Sequence, residues 1–158
     1  MRDPGFITIA RGGALTSVDH KILMSWAILC AEHLLHLSDG KLRSYLEENL
    51  TTAKNWIEEM VSTGTAINAA RKINFYVRTL QDPVEIAICR SVAHAVATAH
   101  MADHCMGSAL YGLKAIKSSG GNSEEEQKWQ ESALQKLPDN LQRLISETIN
   151  EKSKGFKL

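Results

Sequence analysis

Apolar residues recur every three to four positions along most of this chain, with polar residues between them. That is the period of an amphipathic helix, not of a strand. Ile22, Trp26, Leu29, Cys30, Leu34 and Leu37 share one broad face of a helix expected from about Ser17 to Leu37. His33 falls in the middle of that face, and Glu32 points the opposite way, toward water. Ser38-Asp39-Gly40 breaks the pattern. A second helix then runs to about Ser62 with Leu42, Leu46, Leu50, Ala53, Trp56 and Met60 on its inner side. Gly64 closes it, and Thr65 caps a third helix through Ala66, Ala70, Ile73 and Val77.

The strongest start signal is Asp82-Pro83-Val84-Glu85, a capping side chain followed by proline at the first helical position and glutamate at the third. The helix it opens is expected to span about 83–117. Ser118 to Asn122 reads as a loop, and Ser123-Glu124-Glu125-Glu126 as a capping box for a fifth helix that stops before Pro138. A last helix places Leu141, Leu144, Ile145 and Ile149 on one side and frays into a basic tail, 151–158. Residues 1–15, with Phe6-Ile7-Thr8-Ile9 before Gly12-Gly13, read as a short extended arm. The pattern as a whole predicts an all-α, single-domain bundle of about six helices around a central, mostly buried helix.

Composition narrows the chemistry. Eighteen basic and eighteen acidic residues cancel. Basic side chains alternate with acidic ones and form no stripe, so neither nucleic acid nor an acidic membrane is an expected partner. Three cysteines with no CxxC pair suit buried thiols in a reducing compartment, so a cytoplasmic protein is expected. Phosphate-binding glycine patterns and the G-x-S-x-G nucleophile turn are absent, and no catalytic set or cofactor is expected.

Between Arg90 and Lys114, Asp103 is the only formal charge, yet HAVATAHMADHC carries three histidines. A segment this apolar all round belongs inside a bundle, where each imidazole needs a hydrogen-bond partner. His100 and His104, four apart, share a face that continues through Gly107 to Tyr111. A metal site on His33, His100, His104 and Asp103 is conceivable. The metalloprotease pattern, however, needs glutamate where Met101 stands, and no Glu-x-x-His pairs mark a di-iron bundle. The favoured reading is a structural polar core of His33, His94, His100, Asp103, His104 and Tyr111. In it Asp103 orients His100 or accepts from His33. Cys105 and Met101 are expected to fill the core, and the three tryptophans to anchor it.

RDPGFITIARGG, DHKILMSWAILCAEHLL, AHAVATAHMADHCMGSALYGLKA and LPDNLQRLI together resemble a family of bacterial and archaeal immunity proteins. The family comprises small all-helical proteins proposed, from gene neighbourhood, to neutralise toxins used between competing microbes. The resemblance runs nearly the full length and departs at the short linker SDGKLRS. It implies a non-enzymatic protein that binds a protein partner, a toxin. It also marks Trp26, Glu32, His94, His100, Asp103, His104, Gly107 and Tyr111 as signature positions.

Overall fold

A computed structural model describes residues 2–156 and 158. It contains seven α-helices: α1 Ser17–Glu32, α2 Gly40–Ile57, α3 Thr63–Val77, α4 Pro83–Ala97, α5 His104–Ser118, α6 Ser123–Leu134 and α7 Asp139–Ser153. No strand is present among the described residues, so the fold is all-helical as the periodicity implies. No helix is long and apolar enough to cross a membrane among those residues.

Local chemistry sets most of the helix starts. Thr16 caps α1 by accepting from the Asp19 amide, Ser62 caps α3 from Thr65, and Asp82 caps α4 from Val84 with Pro83 at the first position. Asn122, rather than Ser123, caps α6 and accepts from both Glu124 and Glu125. The boundary between α2 and α3 also differs from expectation. The chain turns at Glu59, the only non-glycine at positive φ (59°) among the described residues, while Gly64 lies in the first turn of α3. Glutamate in that conformation costs about 1–2 kcal/mol relative to glycine, and its carboxylate lies 3.2 Å from the Lys21 ammonium.

Two further expectations are corrected. The first helix ends at Glu32, and Leu35–Leu37 continue as a 3₁₀ turn. More consequentially, the long helix expected over 83–117 is two helices. At its break the Thr98 hydroxyl and amide both bond the His94 carbonyl. The Thr98 carbonyl accepts from His20 Nε2 at 2.6 Å. A Thr side chain that bonds back one turn bends a helix. The next residues form isolated turns until His104 starts α5.

α4 and α5 therefore fold back on each other as a hairpin, and α1 packs against both. α2 and α3 cover one side of this trio, while α6 and α7 cover the other. Small residues permit the close approach: Ala87, Ala93, Ala95, Ala109, Gly112 and Ala115 are buried. A pair of fully buried serines ties the three helices together. Ser91 Oγ donates to the Ser108 carbonyl at 2.8 Å, and Ser108 Oγ donates to the Ala27 carbonyl at 2.9 Å. α1 is buried on more than one face, with Leu23, Met24, Trp26, Ala27 and Cys30 all inside, whereas Leu29 is exposed.

The described residues near both chain ends form more secondary structure than the pattern predicts. The arm forms 3₁₀ turns at Pro4–Phe6 and Ile9–Arg11 and a bridge between Thr8 and Leu15. Phe6 and Leu15 are its buried anchors. Gly12, at φ +83°, makes the reversal that brings Gly13 against the Ile7 carbonyl. The tail stays helical through Ser153 and turns once more at Lys154–Phe156; Lys157 lies outside the described residues.

The serine pair gives a direct test of the three-helix junction. Ser91→Ala and Ser108→Ala should each lower stability by about 0.5–1.5 kcal/mol. Ser25→Ala, on the exposed side of α1, should stay within about 0.5 kcal/mol of the parent. Urea titrations with unchanged slopes decide it.

Candidate functional site

The hairpin places the histidines of HAVATAHMADHC on both of its arms. His94 from the last turn of α4 faces His104 at the first turn of α5, with the two Nδ1 atoms 3.1 Å apart. Two neutral imidazoles can share such a contact only if one Nδ1 carries the proton and the other accepts. The His100 ring lies 5.2 Å from that of His104, and Tyr111 lies 5.3 Å from His94. Phe156 closes the row edge-on to Tyr111 at 4.9 Å. Gly107 makes this packing possible. A β-carbon there would sit 2.7 Å from His94 Cε1 and closer still to Nδ1, so no side chain fits unless the ring moves.

Electrostatics keep the row uncharged. Burial, then the neighbouring His104 and Lys152, push the His94 imidazole down to about 3. Burial pushes His104 down to about 4 against the opposing pull of Asp103. His100 and His20 are lowered by burial as well. All four imidazoles are thus held toward the neutral form.

Asp103 does not perform the expected role. Burial opposes its charge, but Lys152 and Arg2 outweigh burial and hold the carboxyl below its ordinary value. Lys152 Nζ lies 3.3 Å from Oδ2 and donates to the Asp103 carbonyl at 2.9 Å, and Arg2 Nε lies 3.5 Å from Oδ2. Oδ1 is buried without a partner, and so is His100 Nδ1. The aspartate therefore fastens the N-terminal arm and α7 to the start of α5, and no hydrogen bond joins it to an imidazole among the described residues.

His33 is elsewhere. It is half-buried between α1 and α6, where its Nδ1 donates to the buried Glu126 carboxylate at 2.7 Å. Its ring stacks on Trp129 at 3.6 Å. Glu126 also accepts from Gln130, whose amide reaches the Ala109 carbonyl. The expectation that His33 joins His100, His104 and Asp103 is corrected: its ring is engaged by Glu126 and Trp129 of α6. Among the described residues no group of three or more His, Cys, Asp and Glu side chains is placed to hold a metal ion. Glu32 does not point freely to water either, since it pairs with Lys54 of α2.

All three cysteine thiols are buried. Burial pushes the Cys89 and Cys105 thiols up to about 12 and raises Cys30 well above the ordinary range. Trp26 is a core anchor, whereas Trp56 and Trp129 are only partly buried. Three further polar side chains, His20, Glu126 and Gln130, are buried although their residue types favour the surface. His20 stands at helical spacing from buried Met24, Ala27 and Ala31. Glu126 and Gln130 stand likewise from Ala133, so periodicity carried the signal although the residue types concealed it.

Beside the histidine row a cleft of about 210 Å³ opens between α3 and the α4–α5 hairpin. Ile67, Arg71, Asn74, His94, His100 and His104 line it, and Arg90 Nη1 donates to Asn74 Oδ1 at 2.6 Å.

The fold and the site are thus a seven-helix bundle with a row of mutually packed histidines beside a small side cleft. Residues 13–137 match the family model described as "Imm-5 like putative immunity protein", and the chain belongs to that family. No curated protein and no solved structure matches the chain. The matched span covers α1 to α6 with the whole histidine row. Arg2, Arg11, Lys152 and Phe156, which contact that row or Asp103 from the arm and tail, lie outside it.

Two measurements check the site. Asp103→Asn should cost about 1–3 kcal/mol, because it removes the shared anchor of Arg2 and Lys152 and leaves a buried group poorly satisfied. Glu32→Gln, which loses a partly exposed pair, should cost about 0–1 kcal/mol. Equal losses would remove Asp103 from its anchoring role.

For pH, His94 and His104 are held below the ordinary value of 6.5, so the unfolded chain binds protons first as the solution is acidified. Their contribution is intact above pH 6.5 and drains away as pH falls toward about 4 and then about 3. Asp103, lowered from 3.8, adds a second loss only below that value. The denaturation midpoint should therefore decline already between pH 6.5 and 4, and the imidazole resonances of His94 and His104 should still show the neutral form at pH 5. Full protonation of both by pH 5 would contradict the buried, mutually bonded pair.

Proposed function

We propose that this protein is an immunity-type, partner-binding protein without catalytic activity, which neutralises a toxin by covering its active surface. The observation that carries the reading is the family match across residues 13–137.

The site chemistry supports it. A general base needs a free imidazole or carboxylate with a matched pKa, and a nucleophile needs an activating partner. Here His94 and His104 bond each other, Asp103 is held by Lys152 and Arg2, and the three thiols are buried and protonated. The surface, by contrast, carries residue types that interfaces favour. Phe75 is 68 % exposed and Met60 72 %, and Tyr76 stands beside Phe75. Three free cysteines suit action in the reducing cytoplasm of the cell that is protected.

The test is co-expression with toxins encoded beside the gene. One of them should co-elute with the purified protein in size-exclusion chromatography, and its toxicity should vanish when this protein is co-expressed. Failure of every such toxin to bind, with the protein folded, would overturn the reading.

A further inference from the structure

Resting on the partner-binding reading, we propose that the outer face of α3 is the docking surface for an acidic, partly apolar segment of the partner protein, with Arg71, Phe75 and Arg78 as its anchoring row and Arg11 of the arm extending it.

The balanced charge of the chain is the sum of two unlike faces. Between Glu59 and Asp82 there is no acidic residue, while Arg71, Lys72 and Arg78 stand in that span. On the opposite side of the central trio, α6 carries exposed Glu124, Glu125 and Glu131 against one cation, Lys128. The two acids that bound the span are occupied. Glu59 lies 3.2 Å from Lys21, and Asp82 caps α4 by accepting from the Val84 amide. Glu48 of α2 shares a groove with Lys72, so Lys72 is left out of the row. Arg71 and Arg78 are exposed, and neither pairs with a carboxylate among the described residues.

Helical spacing aligns the row. Arg71, Phe75 and Arg78 stand at i, i+4 and i+7, one stripe about two turns long. Phe75 is 68 % exposed, and the Arg78 guanidinium lies 5.6 Å from its ring centre, within cation–π reach. At the other end, Arg11, Arg71 and Arg2 all disfavour a proton on His100, so the cations of the arm lie on the same side of the molecule as Arg71. Arg2 is taken by Asp103, whereas Arg11 is exposed and donates only to the His100 carbonyl at 3.4 Å.

These residue types fit a protein better than a nucleic acid. Tight binding to a phosphate backbone takes roughly 6–10 cationic contacts, and the row offers three arginines. Arginine and aromatic side chains are the types that protein interfaces enrich and that anchor them. A guanidinium grips a carboxylate with two parallel hydrogen bonds, which holds direction as well as charge. A segment with carboxylates on either side of an apolar residue would meet Arg71 and Arg78 while covering Phe75.

The full-length protein would be titrated, with nuclear magnetic resonance detection, against a dodecapeptide repeating Glu-Glu-Leu, its Lys-Lys-Leu counterpart and oligothymidylate of the same length. The acidic peptide should shift the backbone amides from Arg71 to Arg78 saturably, and the other two should not. Arg71→Glu, Arg78→Glu and Phe75→Ala should each weaken it roughly tenfold or more. Lys128→Glu, a charge reversal on exposed α6, should leave it within about twofold. All four side chains are exposed, so each variant should keep the urea midpoint of the parent. Shifts confined to other elements, equal loss in Lys128→Glu, or oligothymidylate bound as tightly as the acidic peptide would overturn the proposal. So would a dimer that Arg71→Glu dissolves, which would give the face to a second copy of the chain. With a toxin that co-elutes, the three α3 variants should weaken its binding by a similar factor. Undiminished toxin binding in all three would sink the assignment of this face and leave the immunity reading standing. Saturable binding of the acidic peptide without any toxin would support the face and count against that reading.

Discussion

The close antiparallel approach of α4 and α5 is the constraint on which the rest of the molecule depends. It requires a reversal within six residues, from Thr98 to Asp103, in a segment whose composition favours helix. Thr98 supplies the local cause by bonding back to His94, and His20 supplies the tertiary one by taking the Thr98 carbonyl. Gly107 and the Ser91–Ser108 pair then fix how near the two helices come. Without the break, His94 and His104 would lie on one rod and could not face each other. The small residues along α4 and α5 would have no close neighbour to accept.

Polar groups inside the bundle act as fasteners, and each links elements distant in sequence. Asp103 holds the arm and α7, His33 and Glu126 join α1 to α6, and His20 ties α1 to the break. Such contacts contribute little net stability against a well-packed apolar alternative, because desolvation offsets most of the attraction. Their effect is directional: a hydrogen bond admits one register where apolar packing admits several. Neutral imidazoles suit this role, since each has one donor and one acceptor and avoids the cost of a buried charge.

The same arrangement divides the surface. On the α6 side the buried carboxylate already has its histidine. On the α3 side Arg71, Asn74 and the histidines line the cleft, and no carboxylate is among its described lining residues.

The sequence by itself determined the helical class, the caps at Asp82-Pro83 and near Asn122, the apolar interior of the region around HAVATAHMADHC, and the family. These follow from interactions within a few residues, for which period and residue type suffice. Tertiary structure alone decided that residues 83–117 form a hairpin and that Asp103 serves Arg2 and Lys152 from opposite chain ends. It also decided that His33 belongs to Glu126, 93 positions away. Helical periodicity reports which face of a segment is buried but not which segment lies against it. The back-bond from Thr98 to His94 is local, but the His20 ring that takes the Thr98 carbonyl comes from 78 residues earlier, outside any local window. Spacing of four put His100 and His104 on one face, but only the tertiary structure decided that the His33 ring bonds Glu126 of α6 and not that pair, because a side chain's partner lies on another segment.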